Sequence, residues 1–184
     1  MPNKPIIRSR RKINDTGIFH IEEIDLEFDN GNTRRYQRLL GSPQGAVMVV
    51  PLLDHETLLL IREYCAGMDQ YELGFVKGRI ENGEEPLDAA VREMQEETGY
   101  AAKRLEWVKS VTLAPGYLFH QTHIVLARDL YPKPLPGDEP EPIEVVPWKL
   151  DQLDSLLKRD DFTEARSIAA FHLVKELLAS ENRK

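Results

Sequence analysis

The sequence predicts an α/β fold: a mixed sheet covered by helices, preceded by an N-terminal antiparallel β meander. Three observations predict it. Short apolar runs of strand length, separated by turn residues, recur from residue 6 to residue 130. One helical stretch, 85–98, interrupts them. Two more, 150–157 and 163–179, close the chain. Strands with one internal helix and terminal helices bury their apolar faces best as layers.

The elements follow in order. Phe19 and Ile21 share one strand face, and Ile24, Leu26 and Phe28 resume the alternation after a slip at Glu22–Glu23, where a bulge is expected. DNGN at 29–32 is a turn and RRYQRLL a returning strand, so residues 6–40 read as the meander. AVMVVPLL (46–53) and TLLLIREY (57–64) are buried-looking strands around a DHE turn, and YELGFVKG (71–78) is a shorter one. In the helix 85–98, Pro86 suits the first turn and Gly99 the C-terminal cap. RLEWVKSVTLA (104–114) and THIVLARDL (122–130) read as strands. Between Pro132 and Pro147 lie six of the twelve prolines, which predicts a loop that neither helix nor sheet absorbs. The last helix places Ile168, Phe171, Val174 and Leu178 on one face. Two regions are expected: a meander over 1–42 and a main domain over 43–184.

The bulk properties exclude some functions. A net charge of −7 argues against a general affinity for nucleic acid, which needs a basic surface. No stretch has the apolar length to span a bilayer. The basic N-terminus, MPNKPIIRSRRKI, has no apolar run behind it and does not read as a signal peptide. A single cysteine, Cys65, rules out an internal disulfide and suits a reducing compartment, so the cytoplasm is expected.

The chemistry is concentrated in GRIENGEEPLDAAVREMQEETGY, residues 78–100. Glu93, Glu96 and Glu97 are spaced i, i+3, i+4, so a helix puts all three carboxylates on one face. Residues 84–97 carry six acids against Arg92 alone. Such crowding repels itself unless a cation sits among the oxygens, and hard oxygen donors suit Mg²⁺ or Mn²⁺. Taken alone, an acidic helix face is more often merely solvated.

The spacing decides between the two. Five residues separate Gly78 from Glu84 and seven separate Glu84 from Arg92; then come Glu93, Met94, Glu96, Glu97 and Gly99. This resembles the Nudix box, Gly-x5-Glu-x7-Arg-Glu-U-x-Glu-Glu-x-Gly-U, with U apolar. Every charged and glycine position matches; Tyr100 is a half-polar aromatic at the last apolar slot. The resemblance implies a Nudix α/β/α sandwich and hydrolysis of nucleoside diphosphates linked to another moiety. It implies that Glu93, Glu96 and Glu97 hold Mg²⁺, with a backbone carbonyl from Lys77, and that Glu84 and Arg92 pair to brace the loop. Glu96 is also a candidate for handling the attacking water. A further carboxylate for that role is expected on the Pro-rich loop GDEPEPIE, with Glu141 the first candidate and Glu139 the second.

Pro115, fifteen residues beyond the box in LAPGY, resembles a marker of the ADP-ribose pyrophosphatase branch. Tyr117 keeps dinucleoside polyphosphates open as substrates. The likeness to that branch extends over IDLEFDNG, LLLIREY, YELGFVKG, DLYP, GDEPEP and FTEARS. It implies action on ADP-ribose, NADH and diadenosine polyphosphates, a homodimer, and an N-terminal meander that closes over the nucleotide. Phe28, Arg38 and Arg62 then become candidate substrate contacts, the arginines because their planar forks suit phosphate. The alternatives are a hydrolase of the same family for another nucleoside diphosphate derivative, and a module of the same fold that senses a nucleotide without cleaving it. Such modules have eroded boxes, and here the box is whole.

Overall fold

A computed structural model of the chain describes residues 3–17 and 19–181. Its strands are β1 (Ile6–Asp15), β2 (His20–Glu27), β3 (Thr33–Leu40), β4 (Ala46–Asp54), β5 (Thr57–Cys65), β6 (Gln70–Gly74) and β7 (Val76–Arg79). Helix α1 (Pro86–Thr98) precedes β8 (Tyr100–Val111), β9 (Leu118–Phe119), β10 (Thr122–Pro132) and β11 (Glu144–Lys149). A 3₁₀ turn, Leu150–Gln152, leads into α2 (Leu153–Leu156) and α3 (Ala165–Glu181). The chain forms two units, Met1–Gly45 with Thr112–Gln121, and Ala46–Val111 with Thr122–Lys184. The expected division after residue 42 left out the segment 112–121, whose strand β9 pairs parallel with β3.

In the first unit the sheet order is β1-β2-β3-β9. Residues directly opposite in paired strands share a face. That rule sets Arg11 against Glu23 and Arg35 against Asp25, and both pairs form ion pairs, at 2.6 and 2.8 Å. The Arg35 and Ser9 hydrogen bonds hold the Asp25 carboxyl down at about 2. The slip expected within β2 lies instead in β1: the irregularities fall between Ile7 and Ser9 and between Lys12 and Asn14, while β2 pairs with β3 without a break. Both extra residues are therefore carried by β1, the strand at the end of the sheet order.

In the second unit the order is β11-β5-β4-β10-β8, with β6 on β5 and β7 on β4. β10 runs parallel to β4 and antiparallel to β8, so the sheet is mixed. The run AVMVV in β4 is buried throughout because helices cover both faces. Met48 and Val50 pack with Phe171 and Val174 of α3 and with Leu156 of α2. Val47 and Val49 point the other way, onto Ala89, Ala90 and Met94 of α1. This alternation produces the α/β/α layering.

Two expectations are corrected here. YELGFVKG is two strands, β6 on β5 and β7 on β4, separated at the fully buried Phe75. The Pro-rich stretch is not loop to its end: Glu144–Lys149 is a strand despite Pro147. β11 pairs with β5 at one end of the sheet order, where a residue without an N–H is tolerated. Among the described residues no helix is long and apolar enough to cross a membrane.

Candidate active site

The site is built on β7 and α1 of the larger unit. Helix α1 starts at Pro86, whose missing N–H costs nothing there, and ends on Gly99, whose φ of 77° is left-handed and easy only for glycine. Ahead of it, Gly78 on β7 lies against the carboxyl group of Glu93. A Cβ at Gly78 would meet Glu93 Cδ at 1.8 Å, so the first glycine of the box is there to admit the first glutamate of the helix.

Arg92 braces this arrangement. Its Nε donates to Glu84 Oε1 (2.8 Å), its Nη2 to Glu84 Oε2 and the Arg79 carbonyl (both 3.0 Å), and its Nη1 to Glu93 (2.8 Å) and Glu96 (3.1 Å). The hydrogen bond to Glu84 is the largest influence raising the guanidinium pKa, and the same bond lowers that of Glu84. The pairing expected of Glu84 and Arg92 is present.

Glu97 faces a different set of partners. It is only 6% exposed, and its Oε2 accepts the backbone N–H of Lys77 at 3.3 Å. Burial pushes its carboxyl up to about 9, against the pull of the Lys77 charge. Burial also raises Glu93. One carboxylate oxygen each of Glu63, Glu97 and Glu139 lies within 4.8 Å of the others, from β5, α1 and the Pro-rich loop. Glu63 is also held by the Lys77 ammonium.

The loop reaches this point because its start is tied to the end of α1. The Gln95 side chain donates to the Lys133 carbonyl (2.9 Å), and the Lys133 and Leu135 N–H groups donate to Gly99 and Gln95 carbonyls. Glu139 then enters the triangle, its carboxyl raised by partial burial and by the charges of Glu63 and Asp138. Glu141 lies farther along and accepts the Tyr71 hydroxyl at 2.7 Å. A cavity of about 440 Å³ is lined by Glu93, Glu96, Glu97 and the loop residues 137–143. A second, of about 450 Å³, shares residues 139–143 with it and is walled by Glu63, Tyr64 and Tyr71.

The predicted residues are thus partly assembled. Glu93, Glu96, Glu97, Glu139 and Glu141 line one groove, and Lys77 adjoins it through Glu97; Glu93 and Glu96 turn to Arg92 while Glu97 turns to Glu63 and Glu139. Arg62 lines the second cavity, and its guanidinium bonds Glu144 (2.8 Å) and Asp161 (2.7 Å), joining β5 to β11 and to the segment before α3. Phe28 and Arg38 belong to the first unit, where with Tyr117 and Pro115 they line a cavity of about 260 Å³. Arg38 there donates twice to Glu22 Oε2, at 2.8 and 2.6 Å, and lies 4.5 Å from the Phe119 ring centre. Glu63 was not foreseen. Its signal is indirect: the strand run LLLIREY carries two charged residues ahead of its last tyrosine, and the packing of Ile61 with α1 puts Glu63, two residues on, on the helix side.

The donors suit a hard divalent cation. They are carboxylate oxygens from three segments, more numerous than the basic groups among them, in a groove open to solvent.

Comparison with known proteins agrees with this geometry. The NUDIX domain family matches residues 42–171, and the N-terminal domain of NudE-type Nudix hydrolases matches residues 5–38. ADP compounds hydrolase NudE of Escherichia coli (strain K12) is 44% identical over 98% of this chain and 96% of its own. ADP-sugar pyrophosphatase of Mus musculus is 31% identical over 94% of this chain and 88% of its own. A crystal structure of an ADP compounds hydrolase superposes with a TM-score of 0.90 at 43% identity, covering 100% of this chain and 99% of that one. A complete box folded around one acidic groove, a NudE-type N-terminal segment and full-length likeness to such a hydrolase lead to one assignment: the chain belongs to the Nudix hydrolases, and within them to the NudE type.

Proposed function

We propose that this enzyme cleaves the pyrophosphate bond of ADP-linked compounds, among them ADP-ribose, NADH and diadenosine polyphosphates, and releases AMP. The observation that carries the proposal is the groove in which box glutamates meet the loop carboxylate Glu139. The names of the relatives, which include an ADP-ribose pyrophosphatase of Bacillus subtilis (strain 168), support the substrate class.

In this reading Glu93, Glu96, Glu97 and the Lys77 carbonyl hold Mg²⁺, or Mn²⁺ in its place. A cation held by these residues would supply positive charge for the pyrophosphate and lower the pKa of a water. Arg92 keeps Glu93 and Glu96 on the groove side of α1 and Glu84 fastened beneath them. Glu139 takes the proton, because its raised carboxyl sits among the other acids and a base works best near the operating pH. Glu141, held by Tyr71, shapes the loop. Phe28 and Arg38 serve as nucleotide contacts, and the enzyme works as a homodimer.

The purified enzyme is incubated with Mg²⁺ and a panel of ADP-ribose, NADH and diadenosine triphosphate, and AMP is followed. AMP release from at least one compound, abolished by chelator, is expected. No AMP from any of them contradicts the proposal, and calorimetric binding of ADP-ribose without turnover favours a sensor.

A further inference from the structure

The Nudix box assigns neither the side chain of Lys77 nor that of Glu63, yet the two meet inside the acidic groove. β7 places Lys77 next to Gly78 and opposite Met48 of β4. Its backbone N–H is spent on Glu97. Its ammonium pairs with Glu63, both side chains being 22% exposed. The Glu63 carboxylate is in turn one corner of the triangle with Glu97 and Glu139. The Lys77 charge opposes the upward shifts of both Glu97 and Glu139. One flexible ammonium thus faces three acids from three segments of the chain.

Two cations of like sign cannot share that space. Charges a few ångströms apart repel strongly in a partly desolvated site. An ammonium, unlike a divalent ion, sits on a flexible stem and can leave. We infer that the Lys77 ammonium is a resident counter-cation that competes with the divalent ion for one set of carboxylates, and that Glu63, released by Lys77, joins Glu97 as a metal ligand beside the proton-accepting Glu139. The inference rests on the metal-dependent reading proposed above. It explains why a basic side chain pairs with one corner of the carboxylate triangle. Without metal, Lys77 keeps β5, α1 and the Pro-rich loop from repelling one another; with metal, the ion takes over that task.

The experiment is a calorimetric titration of metal-free enzyme with Mn²⁺, paired with melting curves in the presence and absence of Mn²⁺. It compares wild type with Lys77→Met, Glu63→Gln and, as a control for simple loss of charge, Arg79→Met, which alters an exposed residue on the same strand. Lys77→Met is expected to bind Mn²⁺ about five- to tenfold more tightly, the effect of removing a competing ion pair. It should melt below wild type without metal and match it within about 1 °C at saturating Mn²⁺. A salt bridge with only a structural role would lower both melting points alike. Glu63→Gln is expected to bind about tenfold more weakly, through loss of one ligand. The inference is overturned if Lys77→Met binds no more tightly than Arg79→Met, or if Glu63→Gln binds as wild type does. Should Lys77→Met fail to fold, Glu63→Gln alone decides. If wild type itself binds no Mn²⁺, it is the metal reading that fails, and this inference with it.

Discussion

Helix α1 and the Pro-rich segment 133–143 are both acidic, and the fold treats them in opposite ways. α1 draws its glutamates inward. Gly78 makes room for Glu93, Arg92 clamps Glu84, Glu93 and Glu96, and Glu97 is buried with its carboxyl raised to about 9. The loop leaves its acids exposed and is fastened only at its ends, to Gln95 and Gly99 at the start and to Tyr71 through Glu141. A helix fixes side chains in pairs three and four residues apart, so it can hold several charges at a prescribed separation. A loop can bring one charge to that array and withdraw it. Metal-holding groups on the rigid element and a proton acceptor on the tethered one is the division of labour this difference suggests.

The largest effect expected is at Glu97. Glu97→Gln removes a buried charge and keeps the shape, so steady-state kinetics should show a loss on the order of 10²–10³-fold in kcat/KM. On the loop, Glu139→Gln should cost on the order of 10²-fold in kcat, the lower range for loss of a general base. Glu141→Gln should cost less than about tenfold, since it loses only the Tyr71 hydrogen bond. The reverse order would return the role of base to Glu141. Gly78→Ala comes next. Its Cβ collides with the end of a flexible side chain and not with backbone, so the chain should fold with nearly unchanged Tm while Glu93 is displaced. Activity should drop on the order of tenfold to a hundredfold, the range for disturbing a ligand's setting.

The smallest effect is one of stability, and its sign is opposite. Unfolded, Glu97 ionises near 4.5; folded, near about 9. Between those values the folded chain holds more protons than the unfolded one, so this group's contribution to stability falls as pH rises. Metal-free Glu97→Gln escapes that loss. It should melt above metal-free wild type by about 5 °C at neutral pH, the size of roughly 1–2 kcal/mol in a chain of this length. The gap should widen from pH 5 to pH 8 in melting curves recorded with chelator. A constant gap, or one that closes, would show that Glu97 is ionised in the free enzyme.

The same contrast governs what could be read beforehand. The helix and its glutamates were readable because the spacing i, i+3, i+4 is a local rule and the box pattern is contiguous. The layering was readable too, because AVMVV in β4 and the apolar face of α3 require cover on both sides of the sheet. What escaped depends on contacts between distant segments. Glu63 enters the site by meeting Glu97 and Glu139, and Arg62, at the wall of the second cavity, is tied by Glu144 and Asp161, 82 and 99 residues away. β11 was hidden by Pro147, which argues against a strand until the strand's place at the edge is known. The choice between Glu139 and Glu141 turns on the path of a loop, which its composition does not encode.

The central claim is that the glutamates of α1 serve cation-dependent pyrophosphate cleavage. Its most direct test is the initial rate of AMP formation from ADP-ribose, measured against Mg²⁺ concentration for wild type and Glu97→Gln side by side. A saturable Mg²⁺ dependence, abolished by chelator, is expected in wild type, with little AMP from Glu97→Gln at any Mg²⁺ concentration. Wild-type AMP formation that ignores the chelator, or a Glu97→Gln enzyme that matches wild type, would contradict the claim.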